Sequence, residues 1–164
     1  MNATHYKRGG ASVGVINTLQ PWEADLILNL RLWCEGPVGQ AQVWNSFATS
    51  LPRGTAADEM HAFEALVGAL IRHAHRPLVR HSVGCACVGA DESVFAHLVA
   101  TASDGDLGEA SLIATLLVTA AHAEQVALLA GQVGQSARQM SQYHAHKTDA
   151  LSGVVVHLHS KTLQ

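Results

Sequence analysis

Charged residues are scarce in this chain of 164 residues, in which Asp, Glu, Lys and Arg together make up 14%. Soluble domains average about 25%. A surface with so little charge leaves apolar area to cover, which favours self-association, most simply as a twofold dimer. The net charge of −3 gives no electrostatic reason to expect a nucleic-acid partner.

Long hydrophobic runs are also missing. Residues 107–133 form the most apolar stretch, but Glu109 and Glu124 interrupt it, and it lacks the roughly 18 apolar residues of a membrane span. No continuous apolar segment follows Lys7 and Arg8, so we predict neither a membrane partner nor a secretory signal. The three cysteines, an odd number, are typical of reduced thiols, which predicts a cytoplasmic location.

Motifs of nucleotide-dependent and hydrolytic enzymes are absent from the sequence. It contains no G-x-S-x-G, no P-loop and no G-x-G-x-x-G. It also lacks the Glu-x-x-His pairs of di-iron helical bundles. These absences favour a protein that is not an enzyme.

Helical periodicity is the strongest positive signal. Trp22, Leu26, Leu30 and Trp33 recur at steps of three and four, as expected for one face of an amphipathic helix. Similar stripes follow along the chain. We therefore predict an all-α fold, a compact bundle of about five to six helices with irregular or short β-like terminal segments. The breaks between helices are expected at Gly36-Pro37, Pro52, Pro77, Asp104-Gly105 and Gly131.

The two ends of the chain differ from the middle. Residues 11–19 and 153–163 are rich in β-branched side chains, which favours two short strands that could pair, or two irregular arms. The predicted organisation is an N-terminal arm at 1–20, a helical domain at 21–140 and a strand-forming C-terminal arm at 141–164.

The segment HSVGCACVGADE, residues 81–92, carries residue types suited to chemistry. Cys85 and Cys87 supply thiolates, and His81 supplies an imidazole, which are donors that transition metals prefer. On a helix, positions 85 and 87 would diverge by about 200°. They can meet at one ion only in a loop, which the flanking Gly84 and Gly89 favour.

The metal hypothesis requires a fourth donor. The C-x-C spacing is shorter than the usual C-x₂₋₄-C, and no second cysteine pair exists. Cys34, at the end of the first predicted helix, is the natural candidate, and Asp91, the histidines of residues 72–76 or a water are the alternatives. We therefore predict zinc bound by His81, Cys85, Cys87 and Cys34, in a structural or regulatory role because such a closed site leaves no open position for a substrate.

Three other interpretations stay open. Cys85 and Cys87 could be a redox pair, because a helix N-terminus activates thiols and a disulfide in so small a ring is easily reduced. Arg80, in a basic cluster running from residue 72, could bind a small anion. The segment could also simply pack as a tight corner in a homo-oligomeric interaction module. In all of them Asp91 and Glu92 are read as ordinary helix-starting residues.

Histidine pairs at H-x-H spacing form a further, weaker signal. On an extended strand, His157 and His159 would share one face and could bind a metal together. Without a third ligand nearby in the sequence, such a pair is a weak indication of a metal site.

Overall fold

The structure, a computed structural model, describes residues 9–159, and from residue 152 onward only the backbone. Within this range the chain forms six helices and one short two-stranded sheet, which confirms the predicted fold class. The elements in chain order are β1 (Ser12–Val15), a 3₁₀ turn (Ile16–Thr18), α1 (Pro21–Cys34), α2 (Pro37–Ser50), α3 (Ala56–Arg72), β2 (Cys87–Gly89), α4 (Ala90–Ser103), α5 (Leu107–Ala114) and α6 (Ala120–His159).

The first two helices begin and end where the sequence predicts. Pro21 occupies the first turn of α1, where its missing N–H costs nothing. The Glu23 side chain accepts a hydrogen bond from the backbone N–H of Gln20 at 3.2 Å, which caps that end. Between α1 and α2, Gly36 adopts a φ of +104°, a conformation open to glycine but strained for other residues.

Helix α6 is the centre of the bundle and packs against each of the other five helices. Its 40 residues span about 60 Å at the usual rise per residue. Gly131, predicted to end a short helix, lies inside α6, so that prediction is wrong. A Cβ at Gly131 would come within 3.2 Å of the Ala102 carbonyl oxygen. The glycine therefore allows close packing between α4 and α6.

The strand predicted for residues 153–163 is wrong over 153–159, where α6 continues as a helix to His159. Extending an existing helix adds a hydrogen bond for each residue without a new nucleation cost. This gain outweighs the modest β preference of the β-branched residues there. Residues 160–164 and the side chains of His157 and His159 lie outside the described part of the structure.

The strand predicted near the N-terminus is confirmed, but it has a different partner. β1 pairs antiparallel with β2, with Ser12 opposite Gly89 and Val15 opposite Cys87. The backbone N–H of Ile16 extends this pairing to the carbonyl of Ala86 at 2.8 Å. The N-terminal segment therefore pairs with the cysteine-containing corner, residues 81–89, that precedes α4.

Candidate functional site

The segment 77–86, between α3 and β2, is a loop. Its tightest turn is closed by a hydrogen bond from the Cys85 N–H to the Ser82 carbonyl at 3.0 Å. The helix that would have separated the two thiols is therefore absent: Cys85 lies in this loop, and Cys87 is the first residue of β2. Cys85 and Cys87 are both half-buried and neither forms a disulfide.

A fully buried arginine holds this loop in place. Arg31, on α1, is 0% exposed. Its Nε and Nη2 donate to the carboxylate of Glu92 at 2.7 and 2.8 Å. Its Nη1 donates to the carbonyls of Ser82 at 3.2 Å and Cys85 at 2.7 Å, and Nη2 donates to the carbonyl of Cys87 at 2.6 Å. All five guanidinium N–H groups are thereby used.

Glu92, at the start of α4, completes this anchor. Its carboxylate also accepts the backbone N–H groups of Gly89 at 2.8 Å and His81 at 3.0 Å. Burial acts to raise the pKa of Glu92, but the hydrogen bonds from Arg31 and from the two backbone groups outweigh it and lower the pKa. Glu92 is therefore a buried anion that is hydrogen-bonded to the first and last residues of the corner, His81 and Gly89.

Asp91 anchors the preceding part of the loop in the same manner. Arg76 donates to both of its carboxylate oxygens at 2.7 Å, and the backbone N–H of Val79 donates to Oδ2 at 2.9 Å. Burial acts to raise the pKa of Asp91, and these hydrogen bonds reverse the effect and lower it. The backbone N–H of Asp91 donates to the Gly9 carbonyl at 2.9 Å, which ties the N-terminal segment to the same point.

Asp91 and Glu92 do lie in the first turn of α4, as predicted, and Glu92 caps it through the Gly89 N–H. The prediction missed their second role, because both carboxylates are also buried counterions, of Arg76 and Arg31. A signal for Arg31 was present in the sequence. It lies four residues after the buried Ile27 and one after the buried Leu30, so it falls on the core face of α1. A buried arginine requires a carboxylate partner.

The thiol of Cys85 has two polar neighbours. The backbone N–H of Cys87 donates to Sγ at 3.4 Å, and Nδ1 of His81 lies 3.8 Å from Sγ. The other ring nitrogen, Nε2 of His81, is buried and has no hydrogen-bond partner in the described part of the chain. It packs against Gly89, where a Cβ would lie 3.2 Å away. The imidazole therefore faces the Cys85 thiol with its Nδ1 side.

Cys34 and Arg80 lie together in a separate cleft of about 510 Å³, and this cleft is not lined by His81, Cys85 or Cys87. Nη2 of Arg80 donates to the Cys34 carbonyl at 2.9 Å, and Nη1 pairs with Glu35 at 3.1 Å. Burial raises the pKa of the Cys34 thiol, against the opposing effect of the Arg80 charge. The Arg80 guanidinium thus already has an anionic neighbour, and anion binding there stays a prediction.

Of the four predicted zinc ligands, the structure brings His81 and Cys85 into contact and adds the backbone of Cys87. Among residues 9–151, no group of three or more His, Cys, Asp or Glu side chains is arranged to hold a metal ion. Zinc binding therefore stays a prediction. The imidazole–thiol contact is the chemical feature that this geometry does provide.

Comparisons of the chain with protein-family models, with curated proteins and with solved structures return no match. Across the described residues, no helix has both the length and the apolar character needed to cross a membrane. The function of the corner therefore rests on the chemistry of its own residues.

Proposed function

We propose that the protein is a thiol-dependent redox-responsive protein in which Cys85 is the reactive thiol and Cys87 is the resolving thiol. The observation that carries this proposal is the contact between Cys85 Sγ and His81 Nδ1 at 3.8 Å. An imidazole beside a thiol can accept its proton and leave the nucleophilic thiolate.

Two further features support a reactive Cys85. The N–H of Cys87 points at its sulfur, and donors of this kind favour negative charge on the acceptor. The Arg31 guanidinium is bonded to the carbonyls of both cysteines. Charge on either sulfur helps to raise the Arg31 pKa, although the hydrogen bond from Glu92 is the largest cause. Both cysteines are half-buried, and redox-active cysteines are partly accessible.

The proposed reaction consumes a hydroperoxide. The Cys85 thiolate attacks the peroxide oxygen, an S–O bond forms, the O–O bond breaks, and the leaving oxygen takes the proton held by His81 and departs as an alcohol. Cys87 then attacks the Cys85 sulfenic acid, an S–S bond forms, and the hydroxyl group leaves with the Cys87 proton as water. The two thiols lose two electrons together and the peroxide gains them.

Intact-mass measurement after treatment with hydrogen peroxide tests the proposal. The wild-type chain should lose the mass of two hydrogen atoms and regain it with a dithiol reductant. Cys87→Ser should stop at the sulfenic acid, gaining the mass of one oxygen atom and reacting with dimedone. Cys85→Ser should do neither. Cys34→Ser is the matched control and should behave as the wild type.

Two outcomes would overturn the proposal. One is a wild-type chain whose Cys85 and Cys87 stay reduced under peroxide that oxidises free cysteine. The other is disulfide formation that requires Cys34 and gives only cross-linked dimers.

Zinc binding is the second candidate function, and one distance favours it. Zinc–sulfur and zinc–nitrogen bonds of about 2.3 and 2.0 Å at a tetrahedral angle place the two ligand atoms roughly 3.6 Å apart. The observed separation between Cys85 Sγ and His81 Nδ1 is 3.8 Å. Cys87 and Cys34 are the further ligands predicted from the sequence; because Cys34 lines the separate cleft with Arg80, a site that includes it requires the corner to rearrange.

Elemental analysis separates the two candidates. Zinc binding predicts one zinc per chain after purification, lost in both Cys85→Ser and Cys34→Ser. A metal content below about a tenth of an equivalent in the wild type, with normal folding, would contradict zinc binding and leave the redox proposal unaffected.

The proposal keeps the cytoplasmic location and the twofold dimer predicted from the sequence. Three reduced cysteines suit a reducing compartment.

Leu112, Leu116 and Leu128 are exposed apolar side chains on or beside α5 and α6, and such surface favours association. Light scattering should give a dimer that Leu112→Lys and Leu116→Lys weaken. A wild-type monomer at every concentration measured would contradict the dimer.

A further inference from the structure

A second cavity, distinct from the Cys34 cleft, lies between α1, α2, α3 and α6. Its volume is about 200 Å³. The floor consists of apolar side chains that are almost completely buried, and a cavity of about 150 Å³ lined by such residues is large enough for benzene. The floor residues are Leu26, Phe47, Phe63, Val133 and Met140.

Polar side chains also line this cavity, and one of them, Asp25, is a carboxylate. Asp25 and Asn29 come from α1, Ser46 from α2 and His144 from α6. The Asp25 carboxylate forms no ion pair with the described side chains. Nε2 of His144 is occupied by the buried Ser50 hydroxyl at 2.8 Å. The cavity therefore presents a carboxylate without a contacting cation.

We propose that this cavity binds a small organic amine whose body is about the size of one aromatic ring and whose ammonium group pairs with Asp25. The apolar body fills the floor, and the ammonium supplies the cationic partner that Asp25 lacks. Its remaining N–H groups can donate to the side-chain oxygens of Asn29 and Ser46. Asp25 is exposed to solvent, so its carboxylate lies at the rim of the cavity, within reach of an ammonium group whose apolar body fills the floor.

Charge decides between ligand classes of the same size. A carboxylate or phosphate ligand would place its negative charge beside Asp25. A neutral ligand gains the apolar contacts but leaves Asp25 without a counterion. Charge-assisted hydrogen bonds are stronger than neutral ones, but pairs with an exposed carboxylate are weak, so an amine should bind more tightly than its alcohol analogue by about two- to fivefold.

Calorimetric titration of the full chain with 2-phenylethylamine tests the proposal, with 2-phenylethanol and phenylacetate as analogues of equal size. The expected order is amine first, alcohol about two- to fivefold weaker and phenylacetate weakest. Asp25→Asn should abolish the preference for the amine over the alcohol. Asp58→Asn, at an exposed site on α3, is the matched control and should keep it.

A second variant tests the cavity itself. Ala137, half-buried, lines it from α6, and Ala137→Leu should fill the space and weaken all three ligands. Equal binding of amine and alcohol to the wild type, no detectable binding of either, or amine binding that survives Asp25→Asn would overturn the proposal. The comparison of ligands on the wild type does not depend on how either variant folds.

Discussion

Replacing Arg31 with methionine removes the group that joins α1, the corner and α4. The variant keeps most of the side-chain volume but removes five hydrogen bonds. It leaves the Glu92 carboxylate buried beside only the N–H groups of Gly89 and His81. Because a buried charge without its counterion is costly, this substitution should destabilise the fold more than any change of a surface ion pair.

The expected loss follows from the bonds removed. Breaking a buried ion pair by deleting one partner typically costs about 3–5 kcal/mol. The loop carbonyls of Ser82, Cys85 and Cys87 can rotate toward water, so the loss of their hydrogen bonds adds little to the decrease in the free energy of unfolding. We therefore expect Arg31→Met to lower the free energy of unfolding by about 4 kcal/mol. At this chain length that corresponds to a fall of roughly 10 °C in the melting temperature.

Urea unfolding followed by circular dichroism measures this loss. Arg138→Met is the control, because Arg138 pairs with the exposed Asp104 at 2.7 Å and its guanidinium lies 4.8 Å from the centre of the Trp22 ring, interactions that contribute about 0–1 kcal/mol each. The double variant Arg31→Met with Glu92→Met should be more stable than Arg31→Met alone, since no charge is left buried. A loss below about 1 kcal/mol for Arg31→Met would refute the anchoring role.

Two other predictions concern acid stability and packing. The lowered pKa values of Asp91 and Glu92 stabilise the fold above about pH 5, and this contribution is lost as the pH falls below their ordinary values of 3.8 and 4.5. The free energy of unfolding, measured with urea, should fall as the pH falls across this range, and it should fall less steeply in Glu92→Gln. An equal pH dependence in the two proteins would contradict this role of Glu92. A Cβ at Gly39 would overlap the Leu32 carbonyl oxygen, so Gly39→Ala should cost about 3 kcal/mol. Gly54→Ala, at an open position, should change stability by less than about 0.5 kcal/mol, and equal effects of the two would contradict the packing.

The helices could be predicted because their signals are local. The stripe containing Leu26 and Leu30 and the breaks at Gly36 and Pro37 need only the residues beside them in sequence. The end of α6 could not be predicted in this way. Gly131 has the local signature of a stop, but its place in the middle of α6 depends on the close approach of Ala102, which lies on another helix.

The thiols of the candidate site could be predicted from the sequence, but the buried ion pair that holds the loop, Arg31 and Glu92, could not. Cys85, Cys87 and His81 lie within one short segment, so their proximity in a loop followed from spacing. Arg31 and Glu92 are separated by 61 residues, and nothing in the spacing pairs them. The distance of Cys34 from the corner likewise depends on how α1 packs.

Competitive labelling of the three cysteines tests the central claim, that His81 activates Cys85, most directly. The native protein is treated with limiting iodoacetamide, and each labelled cysteine is located by peptide fragmentation. We expect Cys85 to be labelled several times faster than Cys34, whose half-buried thiol has a raised pKa. His81→Asn should remove this difference. Equal labelling of Cys85 and Cys34 in the wild type, or a Cys85 rate unchanged by His81→Asn, would contradict the account.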